Sequence, residues 1–155
     1  MKNVIKISIV LILITSLMSC HNHDEKQSGT LLLKCEISAS LYQTYLIQIF
    51  KNGDLNVVYG EKSIESDSIV KVINQKSCKL NENDMRCIKE LHSQVIKINS
   101  IEKVEIRKGG WEIVLIIDDK RYHFYYGEYE NTPLGLLIKS IIRKSPILLD
   151  LHSWS

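Results

Sequence analysis

The sequence contains no CxxC pair, no GxSxG, no Walker loop, no HExxH and no dinucleotide-binding glycine fingerprint. Lack of CxxC removes the usual signatures of a thioredoxin-like redox site and of a structural zinc site. The other gaps leave no recognisable catalytic motif, and the expectation is a protein that is not an enzyme and carries no cofactor and no metal. An excess of either charge is also lacking. The 20 basic residues include Lys2 and Lys6, in an N-terminal stretch without acids, so the remainder balances the 18 acidic residues. A nucleic-acid partner requires a concentrated basic surface, and no such concentration is present. No apolar run is long enough to span a bilayer as a helix, which takes about 20 residues.

What is present begins at the N-terminus. Lys2 and Lys6 precede an apolar core over residues 7–17, which has the length of a signal-peptide h-region. Leu17, Met18, Ser19 and Cys20 follow, with an aliphatic residue at −3, a small residue at −1 and a cysteine at the cleavage point. These four residues resemble the lipobox of bacterial prolipoproteins. The resemblance implies removal of residues 1–19, lipidation of Cys20 by diacylglycerol and acylation of the freed amine, palmitate being a typical chain. Several acyl chains give stable membrane anchoring where one does not. His21 rather than aspartate after the cysteine favours the outer membrane of a Gram-negative cell. Residues 20–29 read as the lipidated cysteine and a polar tether, and residues 30–155 as one globular domain.

Within that domain, Leu31, Leu33, Cys35 and Ile37 alternate with Lys34 and Glu36, the period-two pattern of a half-buried strand. Residues 41–50 read as a second strand. Asn52-Gly53, suited to a type I′ turn, leads into a third over residues 55–59. Residues 60–68 are polar and read as a loop, and residues 69–75 as a further strand. Asn81 is placed to cap a helix whose apolar stripe is Met85, Ile88, Leu91, Val95 and Ile98. The stretch from 104 to 128 reads as a three-stranded meander, with reversals at Gly109-Gly110 and Asp118-Asp119. Residues 111–117 are apolar on both faces except for Glu112, as expected of a central strand. Thr132 caps a second helix with Pro133 at its first position and Leu134, Leu137, Ile138, Ile141 and Ile142 along one stripe. Pro146 ends it, and the tail packs back as an extended segment. The implied architecture is α+β: a mostly antiparallel sheet of about six or seven strands, with two amphipathic helices packed on one face.

Beyond the lipobox the domain resembles no family, so the chemistry must be weighed residue by residue. Cys35, Cys78 and Cys87 are an odd set, so at most one disulfide can form, and small buried thiols are the expected state. His21, His23 and Asp24 are metal-ligand types, but they sit on a tether that would have to be ordered first. His92 reads as a solvated helix-surface residue. His123 is of the residue type most used for acid–base chemistry yet has no partner at a diagnostic spacing. Asp118 and Asp119 are turn formers, and Glu128 and Glu130 are solvated loop residues. Four tyrosines fall within residues 122–129. Tyr122 and Tyr126 share a face with Phe124 and are assigned to the core, leaving Tyr125 and Tyr129 as candidates for a binding surface. The expected function is a lipid-anchored, non-catalytic binding role at the cell envelope, toward an envelope protein, a glycan or a toxin. The alternatives are an immunity or inhibitor protein against an envelope-targeted toxin, and a small envelope hydrolase acting through His123.

Overall fold

The computed structural model describes residues 29–39, 43–63, 68–98 and 110–151. Residues 1–28, with the lipobox and Cys20, the tether histidines and the strand expected over 104–107 all lie outside the described residues.

Among the described residues, six strands and two helices follow in the order β1 (Leu31–Ala39), β2 (Gln43–Phe50), β3 (Asp54–Lys62), β4 (Ile69–Lys79), α1 (Glu82–Val95), β5 (Trp111–Ile117), β6 (Lys120–Tyr125) and α2 (Pro133–Lys144). The strands form one antiparallel sheet in the order β4-β3-β2-β1-β5-β6. The first four strands are a meander. After α1 the chain returns to the free side of β1, which places the first strand of the domain at the sheet's centre. The fold is the expected α+β arrangement.

Local sequence accounts for most of the boundaries. Asn81 caps α1 by accepting from the Asp84 amide at 2.8 Å, and Thr132 caps α2 ahead of Pro133. The hairpin between β2 and β3 differs in detail from a type I′ turn. The Gly53 amide donates to the Phe50 carbonyl at 2.9 Å and Gly53 has φ +92°, whereas Asn52 stays at negative φ. This is a type I turn over Lys51-Asn52 closed by a left-handed glycine, the common three-residue hairpin. Asn52 steadies it by accepting from the Asp54 amide at 3.1 Å. At the β5–β6 reversal Asp118 takes φ +50°, a conformation that aspartate tolerates better than most residues.

Two strand limits require correction. Residues 60–62 belong to β3, and β4 runs four residues beyond the expected 75. Polar residues on paired strands are indistinguishable in sequence from polar loop residues when neither face is deeply buried.

Register sorts the side chains. Cys35 lies opposite Ile47 and Leu115, and Ile37 opposite Tyr45 and Ile113. These residues, with Leu33, Val57, Ile117, Tyr122 and Phe124, form one core with the buried stripes of both helices: Met85, Ile88 and Val95 from α1, and Leu134, Leu137, Ile138 and Ile141 from α2. Each fully buried Leu or Ile contributes about 1.5–3 kcal/mol. Lys144 bridges the helices to Asp84 at 2.6 Å. The tail packs back in extended form, with Ile147, Leu149 and Leu151 buried and Leu148 90% exposed. Among the described residues, Cys35, Cys78 and Cys87 are free. Cys35 is buried, and burial, reinforced by the Glu36 charge, pushes its thiol well above the ordinary range. The expectation of buried thiols fails for Cys87, which is exposed, and for Cys78, which is half-buried at the sheet margin.

Candidate binding face

The alternation that sends Leu33, Cys35 and Ile37 to the helices sends Lys34, Glu36 and Ser38 to the opposite side of β1. Among the described residues neither helix packs on that side. Register brings Leu46 and Val114 beside Glu36, and Thr44 and Glu112 beside Ser38.

Glu36 is the focal group of this face. It is only 7% exposed, yet its two carboxylate oxygens accept from Lys34 at 2.7 Å and from Lys62 at 3.2 Å. A buried carboxylate is tolerated only when paired and hydrogen-bonded, and the two ammonium groups supply that pairing. With Thr44, Leu46, Val58, Ser68 and Ile69 these three residues line a pocket of about 290 Å³. Its lining combines two positive groups and one negative with the aliphatic Leu46, Val58 and Ile69 and the hydroxyls of Thr44 and Ser68. Around it the polar groups satisfy one another across strands. Ser38 and Thr44 hydroxyls meet at 3.0 Å, Asn56 donates to Gln48 at 3.3 Å, and Ser77 donates to Asn56 at 3.0 Å. Cross-strand hydrogen bonding of this kind holds side chains in single rotamers, and a surface so ordered loses less entropy on binding.

His123 and Tyr125 stand on the same face at the β6 end. The His123 Nε2 contacts Glu112 Oε1, and both side chains are substantially exposed, at 53% and 44%. Glu112 is His123's only hydrogen-bond partner among the described residues. The pair does not line the Glu36 pocket. A carboxylate-oriented imidazole can relay a proton, but the described residues bring no hydroxyl or thiol to it.

The two candidate tyrosines part company. Tyr125 is half-buried at the end of β6, opposite Glu112, and the Glu128 carboxylate accepts from its amide at 2.9 Å. Tyr129 lies on the other side of the sheet. Its ring meets Phe124 edge-on, with centroids 5.9 Å apart and planes at 89°, and its backbone is held at φ +56°. The pair therefore does not make one exposed aromatic patch, because the core claims Tyr129. His92 also departs from expectation. It is half-buried, and its Nε2 is shielded from solvent without a hydrogen-bond partner. Tyr45, Tyr59 and Trp111 form an aromatic group on the core side, with Tyr45 stacked on Tyr59 at 4.5 Å and tilted against Trp111 at 5.9 Å.

Among the described residues no group of three or more histidine, cysteine or acidic side chains is placed to hold a metal ion. No described helix is long and apolar enough to cross a membrane. The residues that define the face were overlooked in the sequence because Lys34 and Glu36 read simply as the wet side of a strand, and Lys62 as loop. The polar occupants of successive strands, Gln48, Asn56 and Ser77, were the available signal. Compared with known protein families and with curated proteins, the chain has no match.

Proposed function

We propose that this protein is a lipoprotein anchored through Cys20 in the outer membrane of a Gram-negative bacterium, and that its folded region is a non-catalytic binding module for a protein partner at the envelope. The anchor is supported by the lipobox Leu17-Met18-Ser19-Cys20. The binding role is supported by one observation above all: the sheet face opposite α1 and α2 holds Glu36 buried between Lys34 and Lys62 within a set of mutually hydrogen-bonded side chains. Such ordering has little use on a face that meets only water.

Mass spectrometry of the native product tests the anchor, with an acylated N-terminal cysteine expected. An unmodified N-terminus that never partitions into detergent rejects it. Capture from detergent-solubilised membranes tests the binding role. Wild type is expected to retain a reproducible partner that Lys34→Glu loses, and equal recovery by both proteins refutes the assignment to this face. Immunity against an envelope-targeted toxin is one form of the same reading, in which the captured partner is the toxin. The contact between His123 and Glu112 favours a second reading, a small envelope hydrolase. Hydrolysis of an envelope substrate that His123→Ala abolishes is its test.

A further inference from the structure

β4 is the outermost strand of the sheet and, among the described residues, pairs on one side only, with β3. It runs for 11 residues, about twice the usual strand length, and nearly all of it is exposed. Val70, Val72 and Ile73 are 63%, 55% and 50% exposed. Folded proteins ordinarily shorten, cover or interrupt such an edge, because its outward amide and carbonyl groups are a template for another strand. Here β3 and β4 pair without a break from Leu55↔Cys78 to Tyr59↔Asn74, which leaves the edge regular over residues 74–78, whereas two register shifts, between Tyr59 and Gly60 and between Glu61 and Lys62, interrupt it over residues 69–73.

Charge selects the occupant. β4 carries Lys71, Lys76 and Lys79 and no acid. Lys71 and Lys79 reach back to Glu61 and Asp54 on β3, both at 2.8 Å in exposed pairs, while Lys76 has no ion pair among the described residues. A second copy paired through β4 would add three more lysines and no carboxylate. Pairing β4 with the other free edge fares no better, since β6 exposes Lys120, Arg121 and His123. Exposed ion pairs contribute little, so an incoming carboxylate can take over Lys71 or Lys79 at small cost.

We infer that β4 is a docking edge that receives an extended acidic segment of a partner protein by strand addition. The inference rests on the binding-module reading and names the chemistry of the partner. Backbone hydrogen bonds along β4 supply affinity. Val70, Val72, Ile73 and Lys76 supply preference for aliphatic side chains alternating with carboxylates.

The test uses the full-length chain in detergent micelles and a labelled (Glu-Val)4 peptide, with (Lys-Val)4 as its counterpart. Fluorescence anisotropy is expected to show saturable binding of the acidic peptide alone. Hydrogen exchange is expected to slow at alternate amides between residues 74 and 79, where the pairing with β3 is regular, and nowhere along β6. Lys76→Glu is expected to weaken the acidic peptide about fivefold and to admit the basic one, and Val72→Ser to weaken the acidic peptide without lowering thermal stability. Binding without protection of β4 amides, indifference to Lys76→Glu, or the same protection appearing on self-association without peptide each overturns the inference. A native partner captured equally well by Lys76→Glu and by wild type sinks the docking edge and leaves the binding module standing.

Discussion

Replacing Gly135 by alanine is expected to destabilise the protein, although Gly135 sits in a helix where alanine is the better residue. In helix propensity alone the change favours folding by about 1 kcal/mol. The surroundings decide otherwise. A Cβ at position 135 would lie 2.7 Å from the Tyr129 carbonyl carbon and 2.8 Å from the Glu130 Cα, and closer still to the Tyr129 oxygen. These are backbone atoms, so no rotamer change relieves the overlap. The 129–130 turn must retreat. That same carbonyl accepts from the Thr132 amide at 2.9 Å and from its hydroxyl at 2.7 Å, bonds of about 1 kcal/mol each. Retreat also loosens the edge contact of Tyr129 with Phe124, a contribution of about 0.5–1.5 kcal/mol. With about 1–3 kcal/mol for overpacking itself, the net loss is about 3 kcal/mol, or about 10 °C in Tm for a domain of this size. Gly127→Ala is the control. Its φ is +91° but nothing lies within 4 Å of the added Cβ, so it costs only left-handed strain, about 1 kcal/mol. Chemical denaturation of the two variants beside wild type measures both. A Gly135→Ala protein as stable as wild type would refute the placement of the Tyr129 turn against α2.

Thiol alkylation followed by mass spectrometry should label Cys87 first, Cys78 more slowly and Cys35 only after unfolding, because burial raises the last two thiols and closes access to Cys35. Asp54 is held below the usual carboxylate range by its hydrogen bonds to Lys79 and Asn52. Its contribution to stability is therefore complete above its unfolded-state value and disappears as pH falls through the folded one. Acid unfolding curves should show Asp54→Asn to be less stable than wild type near neutrality, with the two converging as pH falls below the ordinary carboxylate range. Trp111→Phe should cost less than about 2 kcal/mol, below the usual range for truncating a buried aromatic, because it also removes a buried N–H without a partner; a larger loss in urea denaturation would mean that the indole nitrogen is satisfied.

Much of the secondary structure was legible because its signals are local. Asn81, Thr132 and Pro133 mark helix starts through bonds made within three or four residues, and the apolar stripes of both helices repeat at helical spacing. β1 announced itself by strict alternation. The misread segments are those whose state depends on a distant neighbour. Residues 60–62 and 76–79 are strand because β3 and β4 pair with each other, not because of any apolar pattern of their own. Tyr129 reads as a surface ring in sequence because nothing near it reveals that Phe124 and Gly135 converge upon it. The candidate face was invisible for the same reason: Lys34 and Glu36 are neighbours on one strand, but Lys62 reaches Glu36 only once β2 has been laid between β1 and β3.

The order of residues alone carries the resemblance to a lipobox, the balanced charge beyond it, the α+β class and the faces that turn inward on each element. These depend on composition and on periodicities of two and three to four residues, which any short window contains. Tertiary structure alone decided that the first strand of the domain lies at the centre of the sheet, that a carboxylate is buried between two lysines, and that an 11-residue strand is left with a free edge. Such features arise from pairing between segments far apart in the chain, where the free energy belongs to the assembled sheet and to no single stretch within it.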